Sequence, residues 1–163
     1  MSATSQDHDT EIDHLLILTA DEIKYDSLST LVLSKLALQN ADPFIATSAL
    51  GELTQRNSGA AGSAAEQIVE RAVWDSHLTA YALTILYDRD PRNAISKMSD
   101  LIQTNDDPVV LSAMIENVLS DVTRFRSGPG EVLANALVHR VAEAASGTFK
   151  DEDLRDKFLK LFS

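Results

Sequence analysis

The chain has no cysteine among its 163 residues, which excludes disulfides, thiolate metal sites and a cysteine nucleophile. A reducing compartment is therefore permitted. It also lacks any apolar run near the ~20 residues that cross a bilayer; the longest, Leu15 to Leu18, makes a single helical turn. The opening residues Met1 to Asp9 have neither a basic start nor an apolar stretch. They do not resemble a secretory signal, and a cytoplasmic location is expected. Basic charge is scarce: 14 Lys and Arg stand against 25 Asp and Glu, a formal net charge of −11. A surface of that sign repels phosphate, so neither nucleic acid nor an anionic membrane is expected as a partner. A basic protein is the natural complement. No segment alternates with period two between hairpin turns, so no sheet is expected.

What the chain does contain is a repeat. The stretches Asp42-Pro43-Phe44-Ile45-Ala46-Thr47-Ser48-Ala49-Leu50, Asp75-Ser76-His77-Leu78-Thr79-Ala80-Tyr81-Ala82-Leu83 and Asp107-Pro108-Val109-Val110-Leu111-Ser112-Ala113-Met114-Ile115 can be superposed. Their acids are 33 residues apart (42 to 75) and then 32 apart (75 to 107). Each acid is followed after eight residues by Leu50, Leu83 or Ile115, and after eleven by Leu53, Leu86 or Val118. A period near 33 built on helical spacing points to stacked helix pairs.

Residues 1–10 are polar and expected to be disordered, with seven acids and one lysine before Ser27. A single helical-repeat domain is expected over 11–163. Its first helix places Ile12, Leu15, Leu16 and Leu18 on one side, and a second, from about Ser27 to Gln39, carries Leu28, Leu31, Val32, Leu36 and Leu38. Asp42 is placed as an N-cap and Pro43 as the first helical residue, where its missing N–H is no loss. Asn57 to Ser63 is expected to be a flexible connection, with Ser63 and Glu66 forming a capping box for a helix to about Val73. Asp75, Asp90-Pro91 and Asp107-Pro108 start three more helices. Ser127-Gly128-Pro129-Gly130 is expected to be a break, followed by a helix from Val132 to Ala145 and an amphipathic terminator from Glu152 to Phe162. Trp74 is expected to plug a turn. The predicted class is all-α, about eight or nine helices in an α-solenoid of stacked antiparallel pairs.

Helix pairs whose second member opens on Asp-Pro, as at Asp42-Pro43 and Asp107-Pro108, and continues to an Ala-Leu pair, as at Ala49-Leu50, resemble HEAT-like repeats, over about residues 27–125. In that family the second helices line a concave side and usually bind proteins. The chain is also similar in size, charge and architecture to some bacterial immunity proteins, which bind and neutralise the toxin encoded beside them. The resemblance implies a non-catalytic protein-binding role, most concretely as such an immunity protein. A scaffold in a larger assembly is the alternative, and a lyase-type cofactor-handling protein a lesser one.

The residues themselves support no catalytic constellation, cofactor or metal. His8, His14, His77 and His139 are scattered, and Asp7 to His14 form a polar tail without the fixed geometry that a metal needs. Neither Ser127 to Gly130 nor Gly59 to Gly62 matches a nucleophile elbow or a phosphate loop. A binding face remains. If the repeated aliphatics point inward, positions one to two residues away turn outward on the same side. That selects Ser48, Glu52 and Gln55, then Tyr81, Thr84 and Asp88, then Glu116, Asn117, Ser120 and Asp121 as a partner-binding stripe with one tyrosine anchor.

Overall fold

A computed structural model of the chain describes residues 3–71, 75–145 and 147–163. Among them the structure is all-α, with nine α-helices, three short 3-10 turns and no strand. The helices are α1 (Ala3–Leu15), α2 (Thr30–Leu38), α3 (Pro43–Gln55), α4 (Gly59–Arg71), α5 (Ser76–Arg89), α6 (Pro91–Leu101), α7 (Pro108–Ser120), α8 (Gly128–Glu143) and α9 (Glu152–Phe162). None of these is long and apolar enough to cross a membrane. The expectation for Trp74 lies outside the described residues.

Aspartate N-caps explain where most of these helices begin. Asp42 accepts the Phe44 and Ile45 amides at 2.8 and 3.1 Å. Asp75 accepts Leu78 N–H at 2.7 Å, Asp90 accepts Asn93 at 3.2 Å, Asp107 accepts Val109 at 2.9 Å and Asp151 accepts Leu154 at 2.9 Å. Each cap satisfies backbone donors that the helix cannot, a contribution of about 1 kcal/mol. Pro43, Pro91 and Pro108 stand within the first turn, where no internal hydrogen bond is lost.

The chain falls into two compact units, Met1–Ile68 and Val69–Ser163. In the first unit α2 packs on α3, joined by a connection that makes an αα-hairpin. Val32, Leu33, Leu36 and Ala37 meet Ile45, Ala46, Ala49, Leu50 and Leu53, all buried. Leu31, expected on that stripe, is 51% exposed. Because α2 begins at Thr30, its inward face is set by Val32, Leu33 and Leu36, and Leu31 turns away. Helix α1 starts at Ala3 and includes most of the segment expected to be disordered; it stops at Leu15, leaving Ile17 and Leu18 exposed rather than on its apolar side.

The Asn57–Ser63 stretch is not a flexible connection. Ser58 N–H reaches Leu53 O at 3.1 Å and Asn57 N–H reaches Thr54 O at 2.9 Å, with Asn57 at φ 52°. This is a Schellman stop with asparagine at the left-handed position. Ser58 Oγ then accepts the Ala60 amide at 3.2 Å, so α4 begins a turn earlier than Ser63, and Ser63 lies inside the helix.

In the second unit α5 packs on α6 and α7, α6 on α8, and α9 on both α7 and α8. Its core includes Leu78, Leu83, Met98, Met114, Ile115, Leu137, Phe125 and Phe158, each fully buried. The repeated positions Ala82, Leu83, Leu86, Met114, Ile115 and Val118 all lie in this core. Ser127 to Gly130, expected to be a break, forms the start of α8 with Pro129 in its first turn. Gly128 takes the left-handed φ of 59° that allows the entry.

Candidate functional site

The second unit carries an open cleft of about 1060 Å³. One wall is α5, through His77, Ala80, Tyr81 and Thr84. The other is α7, through Pro108, Val109, Ser112, Ala113 and Glu116, and the chain from Thr148 to Leu154 completes it. Ala80 and Ala113 are among the lining residues of these two walls, and their short side chains leave room between the longer ones. At the helix starts, Ser76 Oγ donates to Asp107 Oδ2 at 2.7 Å while Asp107 Oδ1 holds the Val109 amide. One carboxylate thus ties the beginnings of α5 and α7 together.

Glu152 fixes the third wall. Its Oε1 accepts the Gly147 amide at 2.9 Å and its Oε2 accepts Arg155 Nη1 at 2.9 Å. Arg155's side-chain hydrogen bond, followed by that Gly147 amide, holds the Glu152 carboxyl below its ordinary 4.5. A depressed carboxyl stabilises the folded turn above the unfolded-state value, and the contribution is lost as pH falls through the folded value. The Gly147 amide shift is therefore expected to titrate with a midpoint below 4.5, and Glu152→Gln should abolish that titration. A midpoint at or above the ordinary value would show that the latch is not formed.

Of the ten residues selected from sequence, Tyr81, Thr84 and Glu116 come together in this cleft. Asp88 and Ser120 are exposed outside it; Ser120 Oγ donates to the Asn117 carbonyl at 2.7 Å. Asp121 belongs to a small network, accepting Arg124 Nε at 2.8 Å and Tyr87 Oη at 3.4 Å. The Arg124 hydrogen bond holds the Asp121 carboxyl below its usual range, while burial, aided by the Asp121 charge, pushes the Tyr87 phenol up. Asn117 is a correction. It is 5% exposed, with its amide nitrogen 3.9 Å from Met98 Sδ, because α7 is packed by α5, α8 and α9 and few of its positions reach water. Ser48, Glu52 and Gln55 lie on α3 in the first unit, where Glu52 is engaged by Arg56 Nε at 2.7 Å.

Sequence reasoning missed His77, Ser112, Lys150, Asp151, Glu152 and Asp153. The stripe was taken one to two positions from the repeated aliphatics, which passes over the beginnings of α5 and α7 that supply His77 and Ser112 and over the start of α9, which carries Asp151 to Asp153. Among the described residues no cluster of three or more His, Asp or Glu is placed to hold a metal ion. Comparison with protein-family models, with curated proteins and with solved structures returned no match.

Proposed function

We propose that the protein acts by binding a basic protein partner through the α5–α7 cleft, without chemistry of its own. The observation that carries this reading is the cleft's charge. Glu116, Asp151, Glu152 and Asp153 line it against Lys150 and His77, in a chain of net charge −11. Charge of one sign in a concavity focuses the field and raises the on-rate of an oppositely charged partner. In its most concrete form this is a HEAT-like immunity protein of the bacterial cytoplasm that occludes the basic working surface of a toxin.

The test begins with the product of the neighbouring gene. Co-expression is expected to rescue cells from it, and the two proteins should form a complex whose association rate falls steeply with salt. Reversing Glu116 and Asp153 to lysine should slow association at least tenfold at low salt and flatten the salt dependence. Reversing Asp100 and Glu131, exposed outside the cleft, should change the rate little. Equal effects from both pairs would remove the cleft as the interface.

A further inference from the structure

Apart from Lys150 and His77, the polar groups of the cleft are dominated by acceptors. Thr84 Oγ1 gives its proton to the Ala80 carbonyl at 3.3 Å, and Ser112 Oγ gives its proton to the Pro108 carbonyl at 2.7 Å. Each hydroxyl therefore offers only lone pairs to a ligand. Glu116 and Asp153 have no donor partner among the described residues, and a carboxylate is acceptor-only. Between these groups lies Tyr81, a half-buried ring on the α5 wall with Ala80 and Ala113 beside it. The complement to this lining is cationic, rich in N–H donors, free of acceptors and flat enough to lie on an aromatic face. Arginine fits it: its guanidinium has about five donors in a rigid plane, stacks on rings and has no lone pair to clash with the oxygens. Lysine offers fewer donors from a single point.

We infer that the cleft seats an arginine side chain projecting from a segment of the protein partner. The guanidinium lies against Tyr81, with its N–H groups directed to Thr84, Ser112 and Glu116. This rests on the protein-binding reading and goes beyond it in naming the side chain that is read.

The experiment is an amide NMR titration of the whole chain at fixed ionic strength with four probes: acetyl-Ala-Arg-Ala-amide, its lysine and citrulline counterparts, and spermidine. The arginine peptide is expected to give saturable shifts at Ala80, Tyr81, Thr84, Ser112 and Ala113. The lysine peptide should bind at least threefold more weakly and the neutral citrulline peptide not measurably. Thr84→Val, which removes an acceptor while keeping the shape, and Glu116→Gln should each weaken the arginine peptide at least fivefold. Asp100→Asn, outside the cleft, should leave it unchanged, and the dispersion of the free variants' spectra reports that each is folded. Equal binding of the citrulline peptide, or shifts spread over the acidic surface, overturns the inference. Spermidine matching the arginine peptide overturns it in favour of a free polyamine. If the arginine peptide fails while charge reversal at Glu116 and Asp153 still slows the partner protein, the arginine assignment falls and the protein-binding reading stands. If the peptide binds but the partner ignores the reversal, the occupant is not a segment of that partner, and both fall.

Discussion

Gly130→Ala is expected to destabilise this protein strongly, although it adds a single methyl. A Cβ at that position would lie 2.4 Å from the Arg124 carbonyl oxygen, 3.1 Å from Phe125 Cα and 3.2 Å from Arg124 C. All three atoms are backbone, so no rotamer change relieves the clash, and α8 must separate from the 3-10 turn Arg124–Arg126 against which it packs. That turn carries Phe125, which is fully buried and stacks on Tyr87 at a centroid distance of 5.9 Å. Overpacking against an unyielding neighbour costs about 3 kcal/mol or more, a fall in Tm of roughly 6–12 °C for a chain of this size. Gly128→Ala is the control. It has open space around it and is strained only by its φ of 59°, so the loss should be about 1–2 kcal/mol. Thermal melts followed by helical circular dichroism separate the two; equal Tm values would mean that the approach of α8 to the turn is not tight.

The second large effect is expected at Arg56. Its guanidinium donates from Nε to Glu52 at 2.7 Å, from Nη1 to the Leu28 carbonyl at 2.8 Å, and from Nη2 to the carbonyls of Tyr25 and Asp26 at 3.1 and 3.0 Å. One planar group at the end of α3 thus collects three main-chain oxygens of the segment leading into α2. Its side chain is 27% exposed, so solvent screens part of each bond, and Arg56→Ala should destabilise the first unit by about 2 kcal/mol. Arg56→Lys keeps the charge but not the fork, and should recover less than half of the loss. Native-state hydrogen exchange is the suitable measurement, with faster exchange expected at Leu28, Val32 and Leu33. Full recovery by lysine would show that charge, and not the fork, holds the segment.

These two sites mark where the sequence stops being legible. The helix starts at Asp42, Asp75, Asp90 and Asp107 could be located from the chain alone because a cap is a local device whose donor amides lie two or three residues away. The buried register of Leu50, Leu83 and Ile115 was legible because helical periodicity repeats it. Arg56 was not: its acceptors are main-chain carbonyls about 30 residues earlier, and a carbonyl looks the same at every position. Ser63 and Glu66 matched a capping box, yet the Schellman stop at Asn57 allows Ser58 to start α4 first. Gly130 carried no sign of the backbone that passes beside it. Of the cleft, Tyr81, Thr84 and Glu116 followed from the repeat, whereas the wall from Thr148 to Leu154 depends on how α9 docks on α7 and α8, a long-range fact with no spacing to announce it.

The boundary between the two compact units falls between Ile68 and Val69, inside the continuous helix α4 and not in a loop. A gene fragment cut there would sever α4 and leave the first fragment ending on a frayed terminus. Recombination that moves either unit into another protein must therefore carry α4 whole. For the same reason, an inserted residue within α4 would turn every later position of that helix by about 100° about its axis, whereas one added in a surface loop could be absorbed locally. Selection should consequently tolerate length changes in the loops of this chain far more readily than in its fourth helix.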